Sequence, residues 1–245
     1  MGRSEQDNLG VRSLELGNKF IFEDQGKRAV LFACGAAGRP LIVLNCYSSD
    51  EGESVRSELA ASGAPECDLL AVSGLDWDRD MSPWPCPPVF AGGEAYAGGA
   101  DAYLAFLTER IVPWAREHVS GVPAFVGIAG YSLGGLFALY SLYRCDVFDR
   151  AASMSGSLWY PDFLRFAQEQ DFVRHPERVY LSVGDRESKT RNPFLKTVQE
   201  NTEAIASLYR EQGIDVEFEL NPGNHFNDPE KRTAKGIVKL VRSEQ

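Results

Sequence analysis

Five residues, Gly130-Tyr131-Ser132-Leu133-Gly134, constrain this chain more than any other stretch. They read G-x-S-x-G. Residues 123–129 ahead of them form a short apolar run of strand type, and residues 135–143 behind them an apolar run of helix type. The pattern alone is weak in a chain with 23 glycines; a strand before it and a helix after it give it weight. A strand that turns sharply into a helix lifts the serine hydroxyl out of the sheet edge. Small flanking residues let the two backbones approach where a Cβ would clash.

The rest of the chain alternates in the same way. Strands are expected over residues 19–24, 28–34, 41–45, 68–73, 151–154, 178–183 and 216–220. The run 41–45 is continuously aliphatic, as in a strand buried on both faces. In 216–220, Val216, Phe218 and Leu220 alternate with Glu217 and Glu219. Helices are expected over 54–62, 101–119, 193–212 and 233–242, with a bend near Pro113. The first 15 or so residues read as a frayed arm. Alternating strands and helices imply an α/β fold: a mostly parallel sheet with helices on both faces. No Pro/Gly/Ser-rich linker divides the 245 residues, so 1–245 read as one domain. Residues 75–99 stand apart. They hold Trp77, Trp84, Phe90 and Tyr96 among Pro83, Pro85, Pro87 and Pro88. That is too proline-rich for regular structure and too aromatic for a solvated linker, so a long ordered loop over the site is expected.

Charge and cysteine usage exclude several classes. A net charge of -10 argues against nucleic-acid and anionic-membrane partners, which need a basic surface. No apolar run approaches the ~18 residues of a membrane span. Residues 1–16 lack the apolar segment of a secretory signal. The five cysteines are scattered without a C-x-x-C pair, so neither a disulfide framework nor a zinc site is expected, and a cytoplasmic location fits. The three histidines are dispersed, so no metal is expected. No G-x-G-x-x-G is present, and no cofactor is implied.

A serine hydroxyl needs a base and an acid, in the chain order Ser, acid, His. His118 lies before Ser132 on a charged helix surface and is expected to be solvated. His175 precedes a strand. His225 follows the last strand directly, at the carboxyl end of the sheet where sites form in open α/β folds. It is the expected base. The acid should lie in the loop after strand 178–183, where Asp185 and Glu187 both qualify. One oxyanion donor should be the backbone N–H of Leu133. The second should come from the loop after 41–45, at Cys46 or Tyr47. Trp77, Trp84, Trp159 and Tyr160 are placed to wall a substrate pocket.

These residues resemble the putative-esterase branch of the α/β-hydrolase fold, which includes siderophore (enterobactin-type), feruloyl and acetyl-xylan esterases, esterase D and the mycolyltransferases. The resemblance runs from about residue 41 to 240. Its markers are residues 130–135, 184–187 and 223–226. It implies the three-layer α/β-hydrolase sandwich and a serine hydrolase that cleaves carboxylic esters through an acyl-enzyme. The family's acid often stands three residues after the loop glycine, which points to Glu187 over Asp185. Its second oxyanion donor follows an Asp/Asn-Gly pair. Here Cys46 replaces that glycine after Asn45, and Tyr47 is the matching donor. Residues 79–83 resemble the stretch before the family's substrate loop, which adds Arg79 to the pocket. The expected partner is a small-molecule ester. An acyltransferase using the same three residues, or a non-catalytic binding protein on the same fold, are the alternatives. The sequence carries no signal for oligomeric state.

Overall fold

The computed structural model describes residues 12–89 and 92–242. In chain order the first elements are β1 (Arg12–Leu16), β2 (Lys19–Asp24), β3 (Lys27–Phe32), β4 (Leu41–Asn45), α1 (Glu51–Ala61) and β5 (Asp68–Ser73). Next come α2 (Trp77–Asp80), β6 (Pro85–Cys86), β7 (Tyr96–Ala97) and α3 (Ala100–Phe106). Leu107–Ile111 is a π-helical turn leading into α4 (Val112–His118). The second half holds β8 (Val126–Tyr131), α5 (Leu133–Leu142), β9 (Arg150–Met154), α6 (Phe163–Glu169) and β10 (Arg178–Gly184). A 3-10 turn at Leu195–Thr197 precedes α7 (Val198–Glu211), and β11 (Asp215–Asn221) and α8 (Pro229–Val241) close the fold.

Nine strands form one sheet in the order β1-β2-β3-β5-β4-β8-β9-β10-β11. From β5 to β11 every pairing is parallel; β1, β2 and β3 join antiparallel at one end. The central strands β4, β5 and β8 are buried along their whole length. Each aliphatic side chain so buried stabilises the fold by about 1.5–3 kcal/mol. Val55 and Leu59 of α1 and Ala234, Ile237 and Leu240 of α8 cover one face. Helices α3 to α7 cover the other, where Leu136, Phe137, Leu139, Ile205 and Tyr209 pack.

Several local expectations need correction. Residues 12–16, read as part of a frayed arm, form the edge strand β1; the rest of that arm and Phe90 lie outside the described residues. The helix expected over 101–119 is one continuous run of three pieces. Pro113 cannot donate to the carbonyl four residues back, and the preceding π-helical turn accommodates that gap. The segment 75–99 contains regular structure after all, the short α2 and the β6–β7 ribbon. Helix α8 starts at Pro229, in the first turn where a missing N–H costs nothing. β11 is an edge strand, so Leu220 is exposed despite the alternation. His118 is not solvated: it is half-buried, its ring lies against Phe20 and Trp114, and its Nδ1 bonds the Trp114 carbonyl.

Candidate active site

Ser132 sits between β8 and α5 with φ 57° and ψ −125°. That left-handed conformation is strained for any residue with a Cβ. The turn is held by close approach. A Cβ on Gly130 would lie 2.2 Å from the Gly134 carbonyl carbon, so the strand can pass the helix only with glycine there. The Ser132 N–H donates to the Met154 carbonyl, and the Ser132 carbonyl accepts from Gly135, Leu136 and Ser157.

Parallel pairing brings the ends of β8, β9, β10 and β11 to one edge. His225, in the loop after β11, lies with Nε2 3.1 Å from Ser132 Oγ and Nδ1 2.8 Å from Glu187 Oε2. Its side chain is 29 % exposed, while that of Glu187 is 4 % exposed. The other Glu187 oxygen accepts from the Gly184 N–H at 2.6 Å and from Ser155 Oγ at 2.7 Å. Burial by itself would raise the Glu187 carboxyl. The hydrogen bond and charge of His225, with the Ser155 and Gly184 donors, outweigh it and hold the group below the usual carboxylate range. Asp185, the other carboxylate of the loop, does not reach the imidazole; it accepts from the Gly223 N–H at 2.8 Å. His175 lies at the surface, bonded to the Gln212 carbonyl.

The expected oxyanion donors differ in availability. Leu133 opens α5, where the first N–H groups have no acceptor within the helix and the helix dipole favours negative charge. The Cys46 N–H continues the sheet, donating to the Val72 carbonyl at 2.8 Å. The Tyr47 N–H donates to Glu51 Oε2 at 2.7 Å. Glu51 is therefore placed where an anion would meet that donor.

Two cavities flank Ser132 and His225, and Trp77 and Phe226 line both. One, of about 360 Å³, is also lined by Tyr47, Asp50, Glu51 and Glu230. The other, of about 270 Å³, is walled by Tyr96, Trp159, Leu195 and Val198. The remaining pocket expectations fall elsewhere. Arg79 points to Asp80 and Asp76, lining neither cavity. Trp84 lies in an outer groove against Phe166, its indole N–H on the Pro161 carbonyl. Tyr160 is buried, its hydroxyl donating to the Trp84 carbonyl at 2.6 Å. The two rings pack against each other and line neither cavity beside the serine.

Sequence reading missed Tyr131, Ser155 and Arg232, which surround the Glu187–His225 pair. Among the described residues no group of three or more His, Cys, Asp or Glu side chains is placed to hold a metal ion. No described helix is long and apolar enough to cross a membrane.

A family model named Esterase, with the description "Putative esterase", matches residues 53–227. The Bacillus subtilis (strain 168) protein called "Uncharacterized protein YbbA" is 22 % identical over 189 residues, covering 75 % of this chain and 76 % of its own. The siderophore enterobactin esterase of Emericella nidulans is 32 % identical over 127 residues, 44 % of this chain and 41 % of that one. Among solved structures, the IroE-like serine hydrolase of Shewanella oneidensis superposes with a TM-score of 0.70. It is 16 % identical, over 94 % of this chain and 79 % of the other, a likeness of fold.

Proposed function

This chain belongs to the Esterase family and is an ester hydrolase, and on that premise we propose that Ser132 is its nucleophile, His225 its general base and Glu187 the acid that orients the base. The observation that carries the assignment is the unbroken chain Ser132 Oγ, His225 Nε2, His225 Nδ1, Glu187 Oε2, with contacts of 3.1 and 2.8 Å. Glu187 holds the tautomer with the proton on Nδ1, leaving Nε2 free to accept. As Oγ attacks the ester carbonyl carbon, Nε2 takes its proton. The carbonyl oxygen becomes an oxyanion facing the Leu133 N–H, with the Tyr47 N–H as second donor once Glu51 withdraws. Collapse of the tetrahedral intermediate releases the alcohol, which carries away the His225 proton. Water then repeats the sequence on the acyl-enzyme and returns free Ser132.

The cavity walled by Tyr96, Trp159, Leu195 and Val198 suits an apolar or aromatic acyl group, and the cavity beside Glu51 suits the alcohol portion. The substrate is accordingly a small-molecule carboxylic ester, and the name of the Emericella nidulans relative brings siderophore esters into that class. The net charge of -10 argues against a nucleic acid or an anionic membrane as partner. Five free cysteines support a reducing, cytoplasmic setting.

Labelling with a fluorophosphonate and mapping the adduct tests the assignment. A single adduct on Ser132, blocked by prior incubation with an ester substrate, is expected. A folded sample that takes no label there would refute it and favour a binding protein on a hydrolase fold.

A further inference from the structure

Arg232 is 6 % exposed, on the inner face of α8 behind the Glu187–His225 pair. A buried cation is costly unless it is paired and hydrogen-bonded. Here it is both. Nη2 donates to the Pro222 carbonyl at 2.8 Å and Nη1 to the Asn224 carbonyl at 3.1 Å, so the guanidinium grips the loop just ahead of His225. Nη1 also lies 3.2 Å from Ser155 Oγ, 3.3 Å from the Tyr131 hydroxyl and 3.5 Å from Glu187 Oε1. The Tyr131 hydroxyl donates to the His225 carbonyl at 2.7 Å, and Ser155 Oγ to Glu187 Oε1. One side chain thus connects the ends of β8 and β9, the acid loop and the histidine loop.

We propose that Arg232 is a positioning residue that fixes His225 against Ser132 and, as the cation beside Glu187, offsets the charge which that carboxylate presents to the imidazole. This rests on the triad reading above. A buried carboxylate alone would stabilise the imidazolium, which cannot accept the serine proton. The groups facing His225 are otherwise neutral or acidic: Glu187 and the Tyr131 ring on the inner side, Asp50, Glu51 and Glu230 across one cavity, and Asp78 across the other. All the carboxylates favour the protonated ring. Arg232 is the cation set against them, its Nη1 3.5 Å from Glu187 Oε1 on the far side of that carboxylate.

The test compares Arg232→Met and Arg232→Lys with the wild-type enzyme in pH profiles of kcat and KM, with thermal melting recorded alongside. Arg232→Met removes the charge. Its acidic limb in kcat/KM should move up by about one pH unit, with kcat lowered at least about tenfold and KM little changed. Arg232→Lys keeps the charge but not the fork geometry; its limb should stay near the wild-type position while kcat still falls. Should Arg232→Met fail to fold, titration of the His225 ring by NMR in Arg232→Gln and Arg232→Lys makes the same comparison. Two results overturn the proposal: a wild-type limb, or wild-type ring titration, in the neutral variant that folds, or activity losses that track melting temperature alone with no shift of the limb. Either would leave the triad standing if Ser132 still takes the phosphonate label. Loss of that label in the wild type would instead overturn the triad.

Discussion

Glu187 Oε2 and His225 Nδ1 lie 2.8 Å apart, whereas Asp185, two residues earlier in the same loop, is tied to the Gly223 N–H. The two carboxylates therefore have separable effects. Glu187→Gln should lower kcat by roughly 10³–10⁴-fold, because the amide no longer holds the Nδ1–H tautomer. Asp185→Asn should keep kcat within about tenfold and cost on the order of 1 kcal/mol of stability, through the weakened bond to Gly223. Steady-state kinetics and denaturant unfolding of both variants read this directly. A larger kcat loss in Asp185→Asn would reverse the assignment.

Glu187 also gives the fold a pH dependence. Its carboxyl is held below the ordinary value, so the native state prefers it ionised. The resulting stability is present above the unfolded value of about 4.3 and is lost as pH falls through the lower native value. Melting curves should show wild type more stable than Glu187→Gln at pH 6, with the gap closing below about pH 4. A gap that widens in acid would contradict the sign.

Glu51 accepts from the Tyr47 N–H, the second donor proposed for the oxyanion. Burial raises its carboxyl, the Tyr47 and Ser48 N–H groups pull it down, and Glu230 and Asp50 push it up again; the balance lies above the usual range. Glu51→Ala frees the donor and should raise kcat/KM by up to about tenfold, the worth of one charge-assisted hydrogen bond. A tenfold fall instead would mean that Tyr47 does not donate to the oxyanion.

Asp50, Glu51 and Glu230 line the cavity assigned to the alcohol portion. Of two esters with one acyl group and alcohols of similar size, the one with a carboxylate on the alcohol should react more slowly than its neutral counterpart. The difference should shrink in high salt and in the double variant Asp50→Asn/Glu230→Gln. Equal rates for both esters in dilute buffer would show that the alcohol portion leaves by another route.

The turn at Ser132 and the loops that bring His225 and Glu187 to it were legible because each is local: a strand run, a short loop and a fixed chain order. Even the close approach behind Gly130 is announced by its sequence neighbours Gly134 and Gly135. Arg232, Tyr131 and Ser155 were not legible, since their partners come from four separate chain segments. One signal existed. Arg232, Gly236 and Leu240 follow at intervals of four along α8, so a cation stands on the buried stripe of an amphipathic helix. Trp84 and Tyr160 are aromatic residues of the same two segments that hold the lining residues Trp77 and Trp159, so sequence alone points all four toward the pocket. The Trp84 and Tyr160 rings are turned away by how the 75–99 segment crosses α6, which no local pattern encodes.

The proposed reaction turns on attack of Ser132 Oγ at the ester carbonyl carbon. The most direct measurement is kcat/KM of purified Ser132→Ala on an activated carboxylic ester, beside wild type prepared identically and shown by melting to be folded. A loss of at least ~10⁴-fold is expected, with the remaining activity coming from binding and the oxyanion donors alone. Turnover by Ser132→Ala within tenfold of wild type would contradict it.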